Sequence, residues 1–353
     1  MKKDNFLRSN WLLILCGLVI GAAAVVLGYH GNPGNMGFCV ACFLRDIAGS
    51  LRLQTTGPQY FRPEIVGIVV GACIMAFAGK EFKAKGGSSP VTRFFLGVFV
   101  AIGALVFLGC PLRMIIRIGS GDLNAVIGLV GFIVGILVGV VFLKKGFSLK
   151  RAYKQSVTEG LAFPAAFLVL FILSVATGLF SQSESGPGSM AAAIPLALVV
   201  GLIVGALAQR SRLCMAGGIR DAVMFKSFGL IAAFGAILVA VLAGNLLLGN
   251  GLHFSFDNQP IAHKDFLWNF LSMLLVGWGC ILLGGCPLRQ LVLAGEGNGD
   301  SAITVIGMLA GAALSHGFNL ASSVKGPTHY GKIAVIAGLV VVAFVSFTNR
   351  KGD

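Results

Sequence analysis

The sequence predicts an all-α, polytopic membrane protein, built as an inverted-topology repeat of about ten transmembrane helices plus four short half-helices. Three observations predict it. The 353 residues are 56% hydrophobic and only 11% charged, where a soluble domain is about a quarter charged. Ten apolar runs are long enough, or nearly so, to cross about 30 Å of hydrocarbon. Two motifs also recur in the same order. Cys39–Asp46 (CVACFLRD) returns as Cys214–Asp221 (CMAGGIRD), and Gly109–Arg113 (GCPLR) returns as Gly285–Arg289. The cysteine spacing is 71 residues in one copy (39 to 110) and 72 in the other (214 to 286).

The runs fall at 11–29, 63–79, 93–108, 123–143, 161–180, 190–208, 229–248, 266–284, 302–319 and 332–347. The first resembles a signal peptide after MKKDNFLRSN. However, GLVIGAAA at Gly17–Ala24 matches GLIVGALA at Gly201–Ala208, so it belongs to the repeat and is retained. The copies are 1–160 and 161–353, the second including a linking span at 161–180. The fifty glycines suit close helix approach in lipid.

Lys and Arg set the orientation, with both termini cytoplasmic in an inner membrane. The inside segments hold Lys2, Lys3 and Arg8; Lys80, Lys83, Lys85 and Arg93; Lys144, Lys145, Lys150, Arg151 and Lys154; Arg210, Arg212 and Lys226; Arg350 and Lys351. The outside segments hold Arg52, Arg62, Arg117, Lys264, Lys325 and Lys332. The net charge of +14 is therefore read as topology signal, not as a nucleic-acid surface. Five spans separate the two starts, and an odd number inverts the second copy.

The motif segments 36–50, 111–118, 213–226 and 287–294 are too short to span. They read as half-helices, tolerated at membrane depth where they line a cavity or are buried in protein. Copy one should then open a funnel to the outside and copy two a funnel to the inside. Pro111 and Pro287 suit the first helical position, which puts Cys110 and Cys286 at the N-cap. A sulfur there faces the positive end of the helix dipole and free backbone N–H groups. Arg113 and Arg289 follow one turn later and add positive charge. Each site thus offers a soft sulfur in a field that attracts anions.

Each motif also has a plainer reading. Gly109 and Gly285 could mark only a tight turn with a small cysteine, but the doubling with an arginine argues against it. Cys39 and Cys214 carry the weaker Cys-x-Ala pattern. Arg45–Asp46 and Arg220–Asp221 read best as ion pairs fixing the half-helices, since an unpaired Arg at the bilayer centre costs about 2.5–3.5 kcal/mol. Cys39-x-x-Cys42 looks like a redox motif, yet Gly217 stands at the matching place in copy two. Cys16, Cys73 and Cys280 lie in apolar runs as small hydrophobes. A metal site and a disulfide framework are not expected, nor is a cofactor. Gly326–Lys332 (GPTHYGK) fails as a phosphate loop, because Ile333 replaces the required Ser or Thr. No span has Asp or Glu near its middle, so a carboxylate proton relay has no candidate.

At these residues the chain resembles the YeeE/YedE membrane family, the sulfur transport family, and the resemblance runs over nearly the whole chain. GNMGFCVACFLRD is similar to the selenium-metabolism YedE branch. The resemblance implies a path lined by Cys39, Cys110, Cys214 and Cys286, with Arg113 and Arg289 beside it. It also implies a small sulfur- or selenium-containing anion such as thiosulfate as cargo, with a cytoplasmic sulfur or selenium acceptor protein as partner. A membrane thiol oxidoreductase or sulfurtransferase, forming a persulfide on Cys39 or Cys42, is the competing class. A channel in which the cysteines only pack is the third.

Overall fold

The computed structural model describes residues 3–248 and 252–350, with side chains from residue 10 onward. Lys2 and Lys351 of the topology signal lie outside the described residues, as do the side chains of Lys3 and Arg8. The first half builds α1 (Lys3–Tyr29), α2 (Val40–Ser50), α3 (Pro63–Ala78), α4 (Pro90–Phe107), α5 (Pro111–Gly119) and α6 (Asn124–Lys144). After α7 (Val157–Thr177) come α8 (Ile194–Ser211), α9 (Met215–Phe225), α10 (Gly229–Leu247), α11 (Phe266–Leu283), α12 (Pro287–Gly295) and α13 (Gly299–Gly317). α14 (His329–Thr348) closes the order. Two-residue strands β1 (Lys85–Gly86) and β2 (Tyr153–Lys154) pair antiparallel between loops.

The fold is all-α among the described residues, apart from that ladder and three isolated β-bridges. Among the described residues, eight segments are long and apolar enough to cross a membrane: α1 from Asn10, α4 with α5, α6, α7, α8 with α9, α10, α11 with α12, and α14. The sequence reading counted ten. Its second span, α3, is apolar but has only 16 residues. Its ninth, α13, carries Asp300, Ser301, Thr304, Ser315 and His316, which dilute its hydropathy. The motif segments are separate short helices: α2 and α9 have 11 residues each, α5 and α12 nine each.

Local chemistry sets the boundaries. Proline opens α3, α4, α5 and α12, where its missing N–H costs nothing. Ser156 and Glu159 form a capping box on α7. Asp265, Asn298 and Thr328 cap α11, α13 and α14 with side-chain oxygens. The turns before the two Cys-Pro steps both need left-handed backbone, at Leu108 (φ 62°) and at Gly284 (φ 80°).

Packing crosses between the two sequence copies. α1 lies on α10, α3 on α8, α4 on α13, and α6 on α11. These crossings bring backbone to backbone through glycine. A Cβ on Gly71 would stand 2.2 Å from the Leu202 carbonyl oxygen, and one on Gly135 would stand 2.1 Å from that of Leu274. Small residues at such contacts are what let membrane helices associate by close packing. The short helices fill the space between: α2 meets α13, α9 meets α6, α5 meets α10 and α12 meets α3.

Candidate functional site

The four motif cysteines occupy equivalent local positions. Cys39, Cys110, Cys214 and Cys286 are the N-cap residues of α2, α5, α9 and α12. All four are buried, the most exposed being Cys214 at 6%. They face protein, not lipid.

Each copy joins its two cysteines through backbone. The Cys110 N–H donates to Cys39 Sγ at 3.3 Å, and the Cys286 N–H donates to Cys214 Sγ at 3.4 Å. The start of one short helix therefore lies against the sulfur of the N-cap residue of another. α2 touches α12 and α5 touches α9, so the two pairs sit on neighbouring elements. Such a site can receive a soft, negatively charged atom: thiols offer weak S–H donors, and helix N-termini offer a positive field.

The third contact of each pair differs. Cys39 Sγ lies 3.1 Å from Cys42 Sγ, both thiols being free. In the second copy, Cys214 Sγ instead accepts the Gly217 N–H at 3.2 Å. A Cβ on Gly217 would come within 3.3 Å of that sulfur.

The two motif arginines also diverge. Arg113 is fully buried and is held by main chain: Nε donates to the Asn35 carbonyl at 3.1 Å and Nη2 to that of Ile261 at 3.3 Å, while Nη1 bonds the Leu108 carbonyl. Its Nη1 also lies 3.7 Å from Cys42 Sγ. Arg289 instead pairs with Glu296, Nη1 to Oε1 at 2.9 Å. Gly109 and Gly285 make room for both, since a Cβ there would approach Arg113 Cδ at 3.1 Å and Arg289 Cγ at 3.0 Å.

Arg45 and Asp46 pair at 2.7 Å in the interior, and Arg220 and Asp221 pair at 2.8 Å where both side chains remain partly exposed. Asp46 has a second partner that the sequence did not suggest, Arg62 Nε at 2.7 Å. Arg62 was assigned to an outer loop as a topology charge, but it is fully buried and also donates to the Pro187 and Met190 carbonyls. Arg117 is likewise a buried partner, to Asp122 at 2.6 Å. Asp122 accepts the Asn124 N–H at the start of α6, as Asn298 caps α13. Glu296 is a further partner that the repeated motifs do not contain. Its signal was visible, because Glu296 stands seven residues after Arg289, where the first copy has Ser120 seven after Arg113.

A cavity of about 480 Å³ opens beside α5, lined by uncharged polar groups including Asn32, Asn35, Ser120 and Gln259. Ile116 and Gly37 bring it toward the first cysteine pair, although no cysteine lines it.

Residues 210–347 match the family model described as sulphur transport. That stretch runs from the end of α8 through most of α14 and contains Cys214, Cys286, Arg289 and Glu296. The resemblance was read from sequence over nearly the whole chain; the match lies in its second part. No curated protein matches the chain.

Proposed function

We propose that this protein carries a small sulfur-containing anion across a membrane, handing it between two buried thiol pairs. The observation that carries the reading is the doubled N-cap geometry, in which the sulfur of one N-cap cysteine accepts the N–H of the other in each copy. The sulphur-transport match over residues 210–347 supports the cargo class. Eight long apolar segments support the membrane setting.

In this reading α3 and α13 cross as well, so that five spans separate the two starts and the chain is an inverted repeat with both termini cytoplasmic. α2, α5, α9 and α12 are half-helices meeting near the midplane, as in other repeat-built transporters. Cargo enters at Cys39 and Cys110, passes to Cys286 and Cys214, and leaves to the cytoplasm, where an acceptor protein receives it. A thiosulfate-like ion suits the site, with its soft terminal sulfur toward the thiols and its oxyanion end toward N–H groups and guanidinium. A selenium analogue meets the same chemistry, following the resemblance of residues 34–46 to the selenium-metabolism branch. Each contact is weak and there are several, as conduction requires.

The test is uptake of labelled thiosulfate, selenite and sulfate into proteoliposomes. Cys110→Ala and Cys286→Ala should each abolish most thiosulfate uptake without lowering assembly. Wild-type rates in both variants would end the relay.

One observation favours a second reading. The 3.1 Å approach of Cys39 and Cys42 sulfurs suits thiol chemistry. Attack of a Cys39 thiolate on the outer sulfur of thiosulfate would leave a persulfide and release sulfite. That reading requires an added sulfur on the intact protein mass after turnover, and conduction does not.

A further inference from the structure

The two halves of the proposed path differ in how they treat their arginine. In the first copy, the turn carbonyl of Leu108 takes a guanidinium N–H from Arg113, and the Asn35 and Ile261 carbonyls take two more. Among the described residues no carboxylate pairs with Arg113. In the second copy the counterpart of Leu108 is Gly284, and the carbonyls on either side of it are bonded by Gln290. Gln290, standing where the first copy has Met114, donates to the Leu283 carbonyl at 3.1 Å and to that of Gly285 at 3.4 Å. Arg289 instead reaches Glu296 at 2.9 Å.

Burial separates them further. Arg113 is fully buried, whereas the Arg289 and Glu296 side chains keep 13% and 17% exposure. A pair that keeps some contact with water exchanges more easily than a fully enclosed one, because water can meet each charge as the pair opens. A doubly charged oxyanion can displace a carboxylate from a guanidinium, since both present oxygens to the same planar fork. The displaced carboxylate stays tethered at an effective concentration on the order of millimolar. It can therefore take the guanidinium back.

We propose that Glu296 is a built-in competitor for Arg289 that expels the anion, making the Cys214–Cys286 end of the path the release site. The first copy holds its cargo against an uncompensated guanidinium, and the second holds it against one already neutralised. The same fold thus carries a step from tighter to looser binding, set by Ser120 against Glu296. This inference rests on the transport reading above and adds a direction to it.

The experiment measures thiosulfate binding by titration calorimetry on the full-length protein in detergent, and thiosulfate flux in proteoliposomes. Glu296→Gln keeps the shape and a hydrogen-bond acceptor but removes the charge; Glu296→Ala removes both. Each should bind thiosulfate about three- to tenfold more tightly, as expected for the loss of one partly exposed competitor. Each should also release it more slowly, and Glu296→Asp should stay near wild type. A purely structural role has the opposite sign, weakening binding and lowering the melting temperature together. Unchanged or weaker binding in both variants would overturn the inference while leaving transport intact. A wild-type protein that binds none of thiosulfate, selenite or sulfate would remove the transport reading and this inference with it.

Discussion

Asp46 shows how much a single buried charge governs here. It accepts from both Arg45 and Arg62, and its side chain and that of Arg62 are fully enclosed. Removing one partner of a buried pair leaves the other charged and unsolvated, which costs about 3–5 kcal/mol. Asp46→Ala should therefore lower the detergent melting temperature sharply, whereas Asp221→Ala, at a partly exposed pair, should lower it little. Cys42 makes the contrasting case. Gly217 stands at its equivalent position, so the shared machinery does not require a thiol there. Cys42→Ser should retain most thiosulfate uptake, measured beside Cys39→Ser, which should not. The doubled motifs made the shared N-cap placement of Cys39, Cys110, Cys214 and Cys286 legible from sequence, because the same short pattern recurs in the same order. Arg62 was not legible. Its partner lies 16 residues away across a turn, and a loop arginine in a basic chain reads as surface.

Among the elements, the proline and glycine signals were the most informative. Cys-Pro fixed the starts of α5 and α12, because the residue before a helix-opening proline is the cap. The span count was less legible. Hydropathy cannot foresee that α3 stops at 16 residues or that α13 buries Asp300, Ser301 and Thr304 against neighbours. Helix partners were also invisible, since a glycine in an apolar run does not say what it touches. The crossing of α6 on α11 now gives a sharp expectation. Gly135 has the Leu274 carbonyl where a side chain would begin, so Gly135→Val must push the helices apart. Overpacking of that kind costs about 1–3 kcal/mol or more. Gly235, with no atom within 4 Å of its Cβ position, is the matched control. Thermal unfolding of the two variants in the same detergent separates them.

For the whole molecule, the copies visible in the sequence are not separate bodies in space. All four long crossings, α1 with α10, α3 with α8, α4 with α13 and α6 with α11, join one copy to the other. Residues 1–160 expressed alone should thus be degraded or aggregate, while co-expression with residues 161–353 should restore an extractable complex and thiosulfate uptake. Recovery of a stable, monodisperse first half by itself would contradict the interleaved packing. The recurrence of the motifs was plain in the sequence, but the packing of one half on the other was not, because periodicity along a chain carries no information about which half supplies a neighbour.

Glycine pressed against carbonyl at these crossings has a mechanical consequence. Two helices seated backbone to backbone cannot slide past each other by a residue without driving a side chain into a peptide group. The scaffold is accordingly stiff where alternating-access carriers hinge. On the proposed reading, the motion that admits and discharges an ion would then belong to rotating thiols and to one swinging carboxylate. Chemical staples placed across the long crossings should leave flux running, as they would in a pore and not in a rocker.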